Sequence, residues 1–193
     1  QAMKTMTYAS SFLNSAVLTV LTVFISLIVS YLAAYGISHL KGKLSSGFYI
    51  FFILGQVIPF HAVMIAITIM AKTAHLNNSL FGLALMYGGL NCGFGIMTYM
   101  GFLKSVPAEL EEAAMIDGCT PLQTFFKVVF PILKPTTVTV AILEAMWVWN
   151  DYLLPSLVLN INKYKTIPIA IQFLKQSHGQ IDWGAMMAVL VLA

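Results

Sequence analysis

The sequence predicts an all-α fold, a polytopic bundle of transmembrane helices, and three observations carry that prediction. Of 193 residues, 59% are hydrophobic and only 9% charged, against about 25% charged in a soluble domain. Runs free of Asp, Glu, Lys and Arg recur at or above the roughly 20 apolar residues that a helix needs to cross a bilayer. Polar character is concentrated instead in one amphipathic stretch, "EEAAMIDGCTPLQTFFKVVFPILKP", from Glu111 to Pro135. Water cannot keep so apolar a surface dispersed, so lipid is the expected solvent for most of it. The whole chain, 1–193, reads as one membrane domain.

The first predicted span runs from Phe12 to Leu40, with Asn14 and Ser15 able to cap it, and ends before "HLKGK". The second, Leu44 to Ala71, contains Pro59, which loosens the backbone ladder and kinks a span. A third lies within Ser79 to Leu103, where Gly89 and Gly93 have the small-xxx-small spacing that lets helices approach closely. The polar stretch follows, and a fourth span is expected from about Thr136 to Leu159. A mixed segment, 160–183, leads to a last apolar run from Gly184 to Ala193. Ten residues rise only about 15 Å as helix, half the hydrocarbon thickness, so the final span is expected to be truncated. The opening, "QAMKTMTYASSF", lacks the basic n-region and cleavage site of a signal peptide, and reads as the middle of a longer protein with its first span cut.

Several function classes are disfavoured. A net charge of +3, scattered along the chain, gives no basic patch for nucleic acid. Cys92 and Cys119 have no metal spacing or disulfide framework, and His39, His61, His75 and His178 are dispersed. With alternating spans, Lys41, Lys43, Lys104, Lys127 and Lys134 share one face, and Lys4, Lys72, Lys163, Lys165 and Lys175 the other. The positive-inside count is therefore tied.

Within the polar stretch, "SVPAELEEAAMIDG" predicts a short helix. Pro107 suits the first helical position, Glu109, Glu111 and Glu112 suit the positive end of the helix dipole, and Gly118 suits a left-handed stop. Thr120-x-x-Gln123 with Pro121 is a capping box for a second helix, expected to run to Pro131. Ala113 and Ala114 leave a thin helix surface flanked by Glu112 and Asp117, suited to docking in a groove of another protein. The alternative is a helix lying on lipid, but such helices favour Lys and Arg on the polar face and bulky apolar residues opposite.

Glu112-Ala113-Ala114, three residues, Gly118, nine residues, then Val128-Val129-Phe130-Pro131 resembles the EAA loop of ABC-importer permeases, whose pattern ends in I-x-L-P. Val128 and Phe130 depart from it but remain apolar. "QVIP", "WNDYLLP" and "DWGAMMA" are similar to the sugar-transporting branch, of the maltose-permease G-subunit type. The resemblance implies a MetI-like transmembrane fold and a bacterial cell membrane location. It implies that 105–131 is a cytoplasmic coupling loop, meeting an ATPase subunit through Glu112, Ala113, Ala114, Asp117 and Gly118, and that 160–182 is extracytoplasmic. The implied partners are a second permease subunit, two cytoplasmic ATPase subunits that hold ATP and Mg, and a solute-binding protein. No cofactor is expected on this chain, and the cargo class is a sugar or a phosphorylated polyol.

Glu144 and Asp151 fall within the fourth predicted span, where charge is costly and points to function. Seven residues apart, they are expected on one helix face about 10 Å apart, with Trp147 between them and Asn150 beside Asp151. Hydroxyl-pairing groups and an aromatic face suit a sugar pathway. Equally, Glu144 can pair within the bundle, and Asp151 and Asn150 can hold neighbouring helices. Two rival functions remain open: an ion-coupled carrier using Glu144 and Asp151, which predicts inverted repeats, and an intramembrane enzyme, for which no His-Glu-x-x-His or similar set is present. "GISHLKGKLSS" misses the phosphate-loop spacing, so ATP hydrolysis is expected on a partner.

Overall fold

The computed structural model describes residues 8–177. Expectations placed on 1–7 and 178–193, including "DWGAMMA" and the last apolar run, lie outside the described residues. Every described element is a helix: α1 Tyr8–His39, α2 Lys43–Val57, α3 Phe60–Thr73, α4 Leu80–Leu103, α5 Ala108–Ile116, α6 Pro121–Ile132, α7 Lys134–Asn150, α8 Leu153–Val158 and α9 Ile167–Ser177. Helices α1 and α4 are each long and apolar enough to cross a membrane, and the number rises to as many as four if α2 with α3 and α6 with α7 each form one broken span. At 1.5 Å per residue α1 is about 48 Å long, more than the roughly 30 Å hydrocarbon layer, so its ends project beyond it.

The pattern of α1 shows what lipid as a solvent does to a helix. Ser11, Ser15, Thr19, Thr22, Ser26 and Ser30 recur every three or four residues and are all buried. Phe12, Val20, Phe24, Ile28 and Leu32 on other faces are exposed. Small hydroxyl residues let neighbouring backbones approach and bond, while large apolar side chains need no shelter from hydrocarbon.

The chain divides into two compact units. One takes 8–22, 60–87 and 145–177 of the described residues. In it, Asn14 Nδ2 donates to the Lys165 carbonyl (2.9 Å) and the Ile167 N–H donates to Ser15 Oγ (2.9 Å). The expectation that Asn14 and Ser15 cap α1 is corrected: α1 starts earlier, at Tyr8, and Ser15 caps α9 instead. The Asn78 N–H reaches the Val158 carbonyl at 3.0 Å and holds the approach to α4 against the end of α8.

The other unit takes 23–59 and 88–144. Its core centres on Tyr31, whose ring lies 4.7 Å from Tyr99, 4.8 Å from Phe125 and 5.5 Å from Phe130. Such aromatic pairs add about 0.5–1.5 kcal/mol each beyond their buried area. Of the two glycines expected to admit a neighbour, Gly93 does so, with the Phe52 carbonyl and Gln56 against it, and Gln56 Nε2 donates to the Leu90 carbonyl at 2.6 Å. Gly89 has open space instead.

Prolines set the breaks. The extended Ile58 (φ −70°, ψ 120°) ends α2, as expected for a residue preceding proline. Pro107 is the N-cap of α5 rather than its first helical residue, one position off the expectation. The second helix of the polar stretch does not stop at Pro131. A π-turn over Phe125–Val129, with the Phe130 N–H reaching the Phe125 carbonyl, precedes the proline, and the helix runs on to Ile132. Widening the turn relieves the clash between the ring and the carbonyl four residues back. The fourth predicted span, Thr136 to Leu159, is also corrected. It is α7 followed by a break at Asp151–Tyr152 and the short α8, because Pro155 cannot donate to the Asp151 carbonyl.

The capping box is present in full: the Gln123 N–H donates to Thr120 Oγ1 (3.3 Å) and the Thr120 N–H to Gln123 Oε1 (2.9 Å). Thr120→Ala is therefore expected to cost about 1 kcal/mol, read as a lowered Tm of the purified membrane assembly. Thr120→Asn is expected to stay near the parent.

Candidate functional site

Helix α5 is short, starts at Pro107 without a side-chain cap, and is closed at its C-terminus. Glu109 and Glu111 occupy its first turn, where the dipole favours carboxylates. At its C-terminus the Gly118 N–H reaches the Met115 carbonyl (3.0 Å) and the Cys119 N–H the Ala114 carbonyl (2.9 Å). These two bonds make a Schellman stop, and they require the left-handed φ of 84° that Gly118 adopts. Thr120 then opens α6 at once. The result is a helix–turn–helix whose turn is closed by the Gly118 and Cys119 bonds and by the Thr120 capping box.

Its exposed surface carries Glu112, Ala113, Asp117 and Gly118. Leu110, Met115 and Ile116 (86% exposed) add apolar area to it, as do Leu122 and Phe126 of α6. Ala114 departs from the expected docking surface: it is only 8% exposed and faces its own chain. One residue is 100° of helix rotation, so Ala113 and Ala114 cannot both face outward fully. Glu111 also turns inward. Its Oε2 accepts the Tyr35 hydroxyl (3.1 Å) and pairs with His39 Nε2 (3.0 Å), both at the end of α1. The sequence reading missed this contact, since the partners lie 76 and 72 positions away.

The intramembrane residues separate into different surroundings. Glu144 on α7 is 0% exposed and accepts the Ser26 hydroxyl on Oε1 at 2.8 Å. Ser30 bonds back to the Ser26 carbonyl, and a Cβ at Gly95 would collide with Ser30 and touch Glu144. The carboxyl is thus enclosed by α1 and α4. Asp151 is not on the α7 face with Glu144, because the helix ends at Asn150. It accepts the Tyr87 hydroxyl and the Leu153 N–H (2.8 Å), and so starts α8. Trp147 is 49% exposed, and Asn150, one turn on, is exposed and donates to the Met146 carbonyl. The buried Ser and Thr ladder of α1 was not singled out from sequence. Its three- and four-residue spacing is a legible signal.

Residues 26–193 match the family model described as the inner membrane component of binding-protein-dependent transport systems. The chain belongs to that family. Its relatives include the "Probable starch degradation products transport system permease protein AmyC" of Thermoanaerobacterium thermosulfurigenes, 38% identical over 96% of this chain and 67% of the relative. The diacetylchitobiose uptake system permease protein DasC of Streptomyces coelicolor is 36% identical over 94% of this chain and 64% of the relative. Among solved structures, a bacterial ABC transporter involved in the import of the acidic polysaccharide alginate superposes with a TM-score of 0.74 at 27% identity. That match covers 94% of this chain and 63% of the other. The chain thus spans about two thirds of the length of these relatives. As an inner membrane component of such a transport system it is a permease.

Proposed function

We propose that this chain forms half of the translocation pathway of an ATP-driven carbohydrate importer in a bacterial cell membrane. Its second half would be another permease subunit, with two cytoplasmic ATPase subunits and an extracytoplasmic solute-binding protein completing the assembly. The observation that carries the reading is the closed α5–Gly118–α6 unit, which presents Glu112, Ala113 and Asp117 on an exposed, partly apolar surface. In this reading 105–131 faces the cytoplasm and 160–182 the outside. Closure of the ATPase pair would move α5 as a rigid body and switch the pathway between outward and inward openings. Carbohydrate cargo is supported by relatives named for starch degradation products and diacetylchitobiose.

Trp147 and Asn150 are the proposed wall of the pathway, on their exposure and spacing. Glu144 and Asp151 would instead hold helices, each within its own unit. The ion-coupled alternative draws on the buried Glu144 Oε2, which has no hydrogen-bond partner; against it, Glu144 is enclosed with Oε1 bonded to Ser26, and Asp151 is engaged by Tyr87 and Leu153.

Purification of the intact assembly is the test, followed by uptake of radiolabelled malto-oligosaccharides and amino-sugar disaccharides into proteoliposomes. The expected result is a co-purifying ATPase and uptake that stops when ATP is withheld. Uptake that persists without ATP and collapses with the proton gradient overturns the reading.

A further inference from the structure

We infer that Glu111, the residue before the E-A-A triplet, is a positioning residue: a strut that ties α5 to the end of α1 so that the two move as one body. The inference rests on the reading that α5 meets an ATPase. Its basis is a three-residue knot. Glu111 takes the Tyr35 hydroxyl at 3.1 Å and His39 Nε2 at 3.0 Å on a single carboxylate oxygen. Tyr35 and His39 are one turn apart on α1 with ring centroids 4.3 Å apart. His39 Nδ1 lies 2.9 Å from the Tyr35 carbonyl; since that carbonyl and the Glu111 carboxylate both only accept, the ring is held at both nitrogens when each carries a proton. The Tyr35 ring also packs edge-on against Phe125 of α6 at 4.7 Å. Both arms of the helix–turn–helix therefore bear on the same two turns of α1.

An exposed ion pair contributes little, because water screens it and two side chains must be ordered. His39 is 48% exposed, so its share of the pair is screened, but the Glu111 side chain is only 16% exposed and holds two partners from one helix. Among the described residues, no other α5 side chain hydrogen-bonds to α1. Beside the knot an open cavity of about 420 Å³, lined by Glu111 and His39 themselves and by Ser45, Met100, Leu103 and Met115, lies between α5 and the helices α2 and α4. A fixed link to α1 beside open space toward α2 and α4 is what a displaced helix needs to hand its motion to one neighbour rather than spread it over several. The coupling energies of such two-state elements correspond to about 5- to 150-fold effects.

The test uses the full purified assembly with its ATPase, spin labels on Glu109→Cys in α5 and Leu32→Cys in α1, and MgATP with vanadate as the only added ligand. With Glu111 present, a single narrow distance is expected, unchanged by nucleotide. In Glu111→Ala the distance is expected to broaden and to shift with nucleotide, while the ATPase still co-purifies and hydrolyses ATP. The exchange pair Glu111→His with His39→Glu is expected to restore the narrow distance, which a general loss of stability would not do. A Glu111→Ala distance as narrow and nucleotide-independent as the parent's overturns the strut, and so does a parent distance that itself changes with nucleotide. If the parent assembly carries no ATPase, the functional reading fails first and the strut with it.

Discussion

Glu144→Lys is expected to remove the chain from the assembled complex, whereas Glu144→Gln is expected to leave assembly and uptake close to the parent. The carboxyl occupies a buried site: Oε1 accepts the Ser26 hydroxyl, and Ser30 and Gly95 lie close beside it. Glutamine keeps both the shape and the acceptor. Lysine is longer, offers donors only, and leaves the Ser26 hydroxyl without its acceptor. A cation at such depth costs about 3 kcal/mol or more even on lenient insertion scales. That is enough to lower the folded, assembled fraction on the order of a hundredfold. Size-exclusion profiles of detergent-extracted membranes measure the assembly, and vesicle uptake measures the transport.

Asp151→Asn belongs to the same comparison, because asparagine keeps Oδ1 as acceptor for the Leu153 N–H, and its Nδ2 can donate to the Tyr87 hydroxyl oxygen in place of the bond that Oδ2 accepts. If Glu144→Gln or Asp151→Asn assembles normally and yet carries no cargo, the carboxylates themselves touch the cargo, and the helix-holding role assigned to them falls. If both transport, the pathway wall is left to Trp147 and Asn150. Trp147→Ala then becomes the informative variant, expected to raise the apparent KM with little change in assembly.

Hydropathy located α1 and α4 to within a few residues because a chain in hydrocarbon must satisfy its own backbone, so the apolar run and the helix coincide. The Thr120–Gln123 box and the Gly118 stop were legible for a similar reason, since cap and capped group lie within one turn. What escaped was of two kinds. The break at Asp151 has a local cause, Pro155, which the surrounding apolar residues masked by extending the predicted span across it. The Glu111 knot, the Ser26–Glu144 bond and the inward turn of Ala114 depend on which helices lie side by side, and no spacing within one helix encodes that. Glu144 illustrates the consequence. Depth alone marked it as chemically special, but only the Ser26 hydroxyl and the tight approach at Gly95 show it enclosed rather than open to a pathway.

Ala113→Trp is expected to abolish capture of the ATPase subunit, while Ala113→Ser keeps it. Ala113 stands on the exposed side of α5 between Glu112 and the apolar Leu110 and Ile116. In the proposed docking geometry an indole there would hold the helix off the facing cleft. Truncating or blocking a central interface position costs about 2 kcal/mol or more, which corresponds to at least an order of magnitude in affinity. The neighbouring residue supplies the control. Ala114 is turned into its own chain, so Ala114→Trp is expected to unseat α5 and lower the Tm of the isolated permease, an effect that precedes any encounter with a partner. Ala113→Trp is expected to leave that Tm unchanged. Pull-down with the ATPase and thermal melts of each variant separate the two outcomes. A tryptophan at Ala113 that melts like the parent and still retains the ATPase would show that the partner meets another surface, and the coupling role assigned to α5 would then have to be given up.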